Sequence, residues 1–272
     1  MKKVVKLLLA LMLSVVLFGC SSSTKPADNT NQDTEETLDA LGRIQAAGKM
    51  IIATEGTWAP YTYVDGNGNL TGYDVEVARA VAGKLGVEAE FVTGDFDGFL
   101  IGLDNGLYDM VFNCIDITEA RQEKYDFSDA YINTTVVLIV KEDNEEITSF
   151  DDLEGKTTTN TITSSYAATA EECGATVLGA TTFEETIELV LQGRADATLN
   201  SRGSYDDYMS VHPDTALKIV DSYTTYAGAP MKKGDDTASL REAVNKALAE
   251  LREDGTLTKL SMQFFEEDVS GN

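Results

Sequence analysis

Histidine and tryptophan each occur once, at His212 and Trp58, and cysteine three times, at Cys20, Cys114 and Cys173. One imidazole and no closely spaced thiols exclude an ordinary zinc centre, which gathers several such ligands at short spacing. His212 lies in "SVHPD", a turn-like stretch, and reads as a surface residue, so the commonest general base is missing too. Neither a Gly-x-Ser-x-Gly elbow nor a phosphate-cradling glycine loop occurs. Cations are scarce: 21 Lys and Arg stand against 46 Asp and Glu, a formal net charge of −25. Such a chain repels nucleic acid and anionic lipid. No cofactor and no metal is expected, and catalysis has no visible nucleophile–base pair.

The first stretch is built for export. Lys2, Lys3 and Lys6 precede an apolar run from Leu7 to Phe18, and "LFGC" closes on Cys20. A basic head, a short apolar span and a small residue before the cut describe a secretory signal over residues 1–19. The run is too short for a mature transmembrane helix, and the Gly–Cys junction disfavours an uncleaved anchor. "LFGC" resembles a lipoprotein box, in which Cys20 is lipidated and becomes the new N-terminus. The polar, acidic stretch that follows has almost no apolar side chains to bury, so residues 20–37 read as a lipidated flexible tether. Loss of the three lysines takes the net charge to about −28. About 230 residues remain from Leu38 onward, enough for two lobes. Cys114 and Cys173 fall in different halves of the remaining pattern. Two free thiols are expected; the alternative is a bridge, which would fasten the halves together.

Strand and helix signals alternate. "KMIIAT" (49–54) is a short apolar strand. "DVEVARAVAGKLG" (74–86) sets Val75, Ala78, Val81, Ala82 and Leu85 on one helical face and stops at Gly86. "VEAEFV" (87–92) alternates as a strand with one wet side, residues 95–106 form a helix, and "YDMVFN" (108–113) is a strand. A second run of the same logic spans residues 156–200. It includes a helix over 182–193 with Thr182 and Glu185 at capping-box spacing. Alternating elements of this kind predict α/β lobes with mostly parallel sheets. Two extended connectors, 131–143 and 223–235, join the runs, so the chain is expected to cross a hinge twice. Residues 239–265 are helical, interrupted at Gly255.

"GYDVEVARAVAGKL" (72–85), "WAPYTY", "FDGFLIGL", "DITEARQEKYDFSDAY", "DLEGK", "LQGRADA" and "VNKALAELREDGTL" resemble, in order, the blocks of the bacterial extracellular solute-binding proteins of family 3. These are ABC-transporter lipoproteins for polar amino acids, and "EGTWAPYTY" with "GRADATLN" is most similar to their cystine-binding branch. The resemblance covers roughly residues 48–266 and implies a two-lobed periplasmic-binding-protein fold of type II, with two α/β lobes joined by a double-strand hinge. On that pattern residues 38–133 begin lobe 1, residues 134–225 form lobe 2, and residues 226–272 return to complete lobe 1. The implied protein is a monomer outside the cytoplasm, anchored to the membrane through lipid on Cys20. It closes on a polar amino acid and delivers it to an ABC permease.

The same resemblance implies site residues. Arg121, alone among acids in "NCIDITEAR", would pair with the ligand's α-carboxylate, since a guanidinium offers a planar fork that matches it. Without the resemblance, Arg121 could equally be a surface residue paired with Glu119 or Glu123. "TSSY" (163–166) would present a helix start, with Ser164 as N-cap and Ser165 toward the same carboxylate. Trp58 and Phe96 would flank the ligand side chain, with plain core packing the alternative for Phe96; Glu55 would reach toward its far end, and Tyr61 would pack behind. Asn200 and Ser201 belong to the second lobe's wall. Many members carry an acid at the Ser201 position for the α-ammonium, and Ser or Thr at the Asp116 position. Asp116, with the carbonyl of Cys114 nearby, is expected to supply the charge that Ser201 lacks; otherwise the ligand has no free ammonium or binds weakly. Two other classes stay open. An exported dehydratase-like enzyme would show turnover. A sensor input domain would need a membrane span, and no such run follows residue 135.

Overall fold

The computed structural model describes residues 38–271. The expected signal, the Cys20 lipidation site and the tether lie outside them. Among the described residues no helix is long and apolar enough to cross a membrane.

The first lobe is organised by the strand Lys49–Thr54, which pairs in parallel with Glu88–Thr93 on one side and Met110–Val111 on the other. Both faces of this small sheet are covered. The helix Tyr73–Lys84 buries Tyr73, Val75, Val77, Ala78, Val81 and Ala82, close to the stripe its sequence spacing predicts. The C-terminal helices Ala238–Glu253 and Thr256–Phe265 bring Leu240, Val244, Leu248, Leu251 and Leu257 into the same core, so the chain's end completes the lobe its beginning started. On the other face Phe99 and Leu103 of the helix Phe96–Asp104 pack with Ala53, Val111 and Phe127. Gly72, before the first of these helices, has φ 122°, and a Cβ there would sit 2.3 Å from the carbonyl oxygen of Tyr61. Only glycine lets the helix start that close to the segment carrying Trp58 and Tyr61.

The second lobe carries a six-stranded sheet. Thr176–Gly179, Thr157–Asn160 and Ala197–Ser201 are parallel; Ile132–Lys141, Leu217–Gly228 and the short Ile115–Asp116 follow in antiparallel pairing. The β-branched run of Ile132–Lys141 sorts by the two-residue period of a strand. Val136, Leu138 and Val140 enter a core with Leu153 and Ala170, whereas Val137 and Ile139 face Phe183, Ile187 and Val190. Continuous hydrophobicity is therefore a strand buried on both faces.

Ile132–Lys141 and Leu217–Gly228 run side by side from Ile132 opposite Ala227 to Lys141 opposite Leu217, with a bulge between Ile219 and Asp221. The near end of Leu217–Gly228 also pairs with the first lobe, Ala227 with Asp116 and Gly228 with Ile115. These two strands form the expected double crossing, although the second runs over Leu217–Gly228 rather than 223–235, since Pro230–Lys232 is a separate strand paired with Tyr125–Phe127.

Two local expectations differ from the structure. "YDMVFN" supplies only Met110–Val111 as strand, because the chain turns away through Cys114, whose φ of 46° is unusual for a residue with a Cβ. The capping box at Thr182 is shifted. Thr182 accepts from the Glu185 N–H, but the Glu185 carboxylate reaches the N–H and hydroxyl of Thr181, one residue farther out. Cys114 and Cys173 are both free, the former buried. His212 is exposed at the end of the helix Arg202–Val211, against Tyr208.

Candidate functional site

The cleft between the lobes lies where the parallel strands of both sheets end. Ligands of open α/β sheets gather there because the backbone turns away and leaves a crevice. Glu55 follows Lys49–Thr54, Asn113 and Cys114 follow Met110–Val111, Asn160 ends Thr157–Asn160, and Asn200 lies at the end of Ala197–Ser201. Together they line one cavity that is partly open to solvent and about 50 Å³ in volume.

Arg121 is on the short helix Glu119–Gln122, fixed by Thr118, whose hydroxyl accepts the Arg121 N–H at 3.3 Å. Its guanidinium does not turn to Glu119 or Glu123. Nη1 donates to the carbonyl of Asp116 at 3.0 Å, and Nη2 reaches across the cleft to the carbonyl of Thr163 at 3.3 Å. The Phe96 ring lies 6.0 Å from its central carbon. Burial pulls the pKa of Arg121 down, opposed by the Asp116 charge. An always-charged fork held by neutral carbonyls has capacity left for an anion.

Asp116 is 4 % exposed. Burial raises its pKa, opposed by hydrogen bonds from Ser165 and Thr225 and by Arg121. Its Oδ2 accepts from the Ser165 hydroxyl, and its Oδ1 accepts from Thr225 Oγ1 at 3.3 Å. Ser164 caps the helix Ser165–Glu172: its hydroxyl accepts from the Ala167 N–H at 3.1 Å and donates to the carbonyl of Thr161 at 2.6 Å. The helix start thus presents its first N–H groups beside Arg121, where the dipole is positive.

Trp58 stacks on buried Tyr61 at 4.3 Å, and its indole N–H donates to Asn200 Oδ1 at 3.2 Å across the gap. Toward the other end, Glu55 accepts from Asn113 Nδ2 at 2.7 Å, while Asn113 Oδ1 accepts the Glu55 N–H at 2.8 Å. Burial pushes the Glu55 carboxyl up to about 7, and Asp95, Asp97 and Glu184 add to the rise.

Arg121, Asp116, Cys114, Ser164, Ser165, Trp58, Phe96, Glu55 and Asn200 therefore line one cavity. Ser201 does not. It is fully buried as the N-cap of Arg202–Val211, its Oγ accepting the Ser204 N–H at 3.1 Å and donating to the Ser204 hydroxyl at 3.0 Å. Sequence reasoning missed Asn113, Asn160, Thr181, Thr182 and Phe183, all on the wall. It also missed Asp97, whose carboxylate accepts from the Thr163 hydroxyl at 2.6 Å and from its N–H at 3.1 Å. Asn160 ends a strand, and Asn113 and Thr181 lie two residues beyond one, a position that could have flagged them.

Residues 50–267 match the profile of bacterial extracellular solute-binding proteins, family 3. The L-cystine-binding protein TcyA of Bacillus subtilis (strain 168) is 36% identical over 270 residues, covering 97% of this chain and 99% of the relative. L-cystine-binding protein TcyJ of Escherichia coli (strain K12) is 32% identical over 235 residues, 85% and 87% of the two chains. Among solved structures, an ancestral arginine-binding protein bound to arginine matches with TM-score 0.74 and 34% identity, over 80% of this chain and 98% of that one. The L-cystine solute receptor of Neisseria gonorrhoeae, in an unliganded open conformation, is 37% identical over 86% and 99%, yet its TM-score is 0.57. The more similar sequence is the less similar shape. That fits a cleft whose walls touch here, through Trp58 and Asn200, Asp97 and Thr163, and Asp116 and Ser165. The fold is the type II periplasmic-binding-protein fold, two α/β lobes on a double-strand hinge, and the chain belongs to the bacterial extracellular solute-binding proteins of family 3.

Proposed function

We propose that this chain captures a polar amino acid, with cystine the leading ligand, by hinge closure and delivers it to an ABC permease. The observation that carries the reading is Arg121, a half-buried guanidinium bonded, among the described residues, only to the carbonyls of Asp116 and Thr163, at a helix start and inside an interlobe cleft. A carboxylate entering there meets a planar fork and the free N–H groups of Ser165–Glu172. Asp116 then offers the α-ammonium a charge, in place of an acid at Ser201, with the Cys114 backbone beside it. Trp58 and Phe96 bound the side chain, and Glu55 meets its far end. The names of the two cystine-binding relatives support cystine as the first ligand to try.

The first lobe, residues 38–133 with 226–272, holds the ligand first, and the second, residues 134–225, closes on it. A ligand that touches both walls favours the closed population through contacts the open form cannot make. Lipid on Cys20 and the tether over 20–37 keep this module at the membrane, within reach of its permease.

The test is a thermal-shift and calorimetry screen of L-cystine, L-arginine, L-glutamine and dipeptides, with product analysis of each mixture. Saturation near 100 times Kd stabilises by about 2.7 kcal/mol, which raises the melting midpoint visibly. Binding without product supports the reading. Turnover of any of them moves the chain to the enzyme class, and no shift with any of them removes the amino-acid reading.

A further inference from the structure

Asn160 is 2 % exposed, at the end of the strand Thr157–Asn160, and it lines the cleft. Its Nδ2 donates to the carbonyl of Leu199 at 2.7 Å. A carbonyl only accepts, so this bond fixes which way the amide is turned, and Oδ1 is its other end. That oxygen is buried and has no hydrogen-bond partner among the described residues. Asp74 Oδ2 and the hydroxyls of Thr158 and Thr159 share that condition, but those residues do not line the cleft. A buried amide oxygen without a donor is costly, and folded proteins rarely leave one so. The orphan is explained if its donor arrives with the ligand.

The kind of donor follows from the surroundings. An α-ammonium has three N–H groups to satisfy when taken from water. Asp116 offers acceptors from the first lobe. In the second lobe Ser201 carries no acid, and its hydroxyl is engaged by Ser204. Asn160 is bonded to the strand that ends in Ser201. With Asp116 already set against Arg121, a neutral carbonyl completes the ammonium's coordination without adding a second buried negative charge.

We propose that Asn160 is a further ligand-binding residue, its side-chain carbonyl accepting an N–H from the α-ammonium of the bound amino acid. The proposal rests on the amino-acid reading above. It makes the ammonium a bridge between lobes, so that Asn160 contributes only once the cleft is closed.

The experiment uses the purified chain with L-cystine, L-arginine and L-glutamine as calorimetric probes, and the variants Asn160→Val and Asn160→Asp. Both variants lose the amide N–H to Leu199; only Asp keeps an oxygen facing the cleft. For whichever amino acid the wild type binds, Asn160→Val is expected to weaken binding by about tenfold or more, the scale of a hydrogen bond to a charged group. Asn160→Asp is expected to stay within about threefold of wild type. Equal losses in both variants point to a structural role and overturn the proposal, as does unchanged affinity in Asn160→Val. Where either variant fails to fold, the wild type decides: dithiodipropionate, which is cystine without its amines, or the deaminated counterpart of whichever probe binds, is expected to bind at least about a hundredfold more weakly. Equal affinity for the two overturns the proposal. A wild type that binds none of the three amino acids removes the underlying reading and this one with it, whereas a wild type that binds beside an indifferent Asn160→Val removes only this one.

Discussion

The hydroxyl of Ser165 donates to Oδ2 of Asp116, and it does so from one lobe to the other. Asp116 is on the short strand paired with the hinge strand Leu217–Gly228, and Thr225 of that hinge strand donates to its second oxygen. The acid proposed to hold the ammonium is thus also the group through which the two walls and the hinge meet. If Asp116 supplies the missing charge, Asp116→Ser should weaken binding of a zwitterionic amino acid by about ten- to a hundredfold, the range for losing a charged hydrogen bond. Removing a buried, raised-pKa carboxyl should leave the ligand-free melting temperature near or above wild type. Titration calorimetry beside a melting curve checks both, and affinity close to wild type would sink the charge swap.

Arg121 leads to a sharper loss. Lysine keeps the charge but presents a point donor where the carboxylate meets a fork. Arg121→Lys is expected to cost about 3 kcal/mol of binding, close to a hundredfold in Kd. The Asp116 and Thr163 carbonyls lose their donors in the same variant, so the control is the ligand-free fold, followed by circular dichroism. Retained affinity in a well-folded Arg121→Lys would mean the carboxylate is held elsewhere.

How far these positions could be read beforehand depended on what fixes them. Local periodicity made most of the buried stripe of Tyr73–Lys84 legible, and β-branching marked 131–143 as extended, but which side chains of Ile132–Lys141 enter which core follows only from the packed sheet. Arg121 stood out because an arginine among acids needs a reason. Ser201 stands off the cavity wall because its hydroxyl is taken by the N–H of Ser204, three residues on, a capping role that the sequence reading did not weigh. Asn160 and Asp97 were invisible for another reason. An orphan oxygen and an interlobe hydrogen bond exist only after distant segments meet, and nothing in "KTTTNT" or "DFDGF" announces either.

Trp58 is the single tryptophan, and it stands in the wall with its indole N–H on Asn200 of the opposite lobe. Its emission therefore reports the cleft alone. Ligand is expected to change tryptophan fluorescence in a saturable way, reaching its plateau at one equivalent, and Trp58→Phe should abolish the signal while calorimetry still detects binding. An emission spectrum indifferent to a ligand that calorimetry shows to bind would place that ligand away from this wall.

Asp74 gives the pH dependence. It is fully buried beneath the cleft, with the Tyr131 hydroxyl donating to Oδ1 at 2.5 Å. Burial raises its carboxyl from 3.8 to about 7, outweighing the hydrogen bonds from Tyr131 and the Cys114 backbone, and nearby Glu55 is raised to about 7 for the same reason. A carboxyl with a raised folded pKa binds more protons folded than unfolded between the two values, so stability falls as pH rises from about 4 to about 7 and flattens above that window. The slope is about 1.4 kcal/mol per pH unit for each proton carried. Asp74→Asn removes one such group and keeps an oxygen for Tyr131. Whatever its offset at low pH, the variant is expected to gain on wild type steadily as pH rises through the window, read from urea midpoints at about pH 4.5, 6 and 8. A difference between variant and wild type that stays constant across those conditions would show that Asp74 is ionised in the folded protein throughout, with a partner that burial alone does not supply.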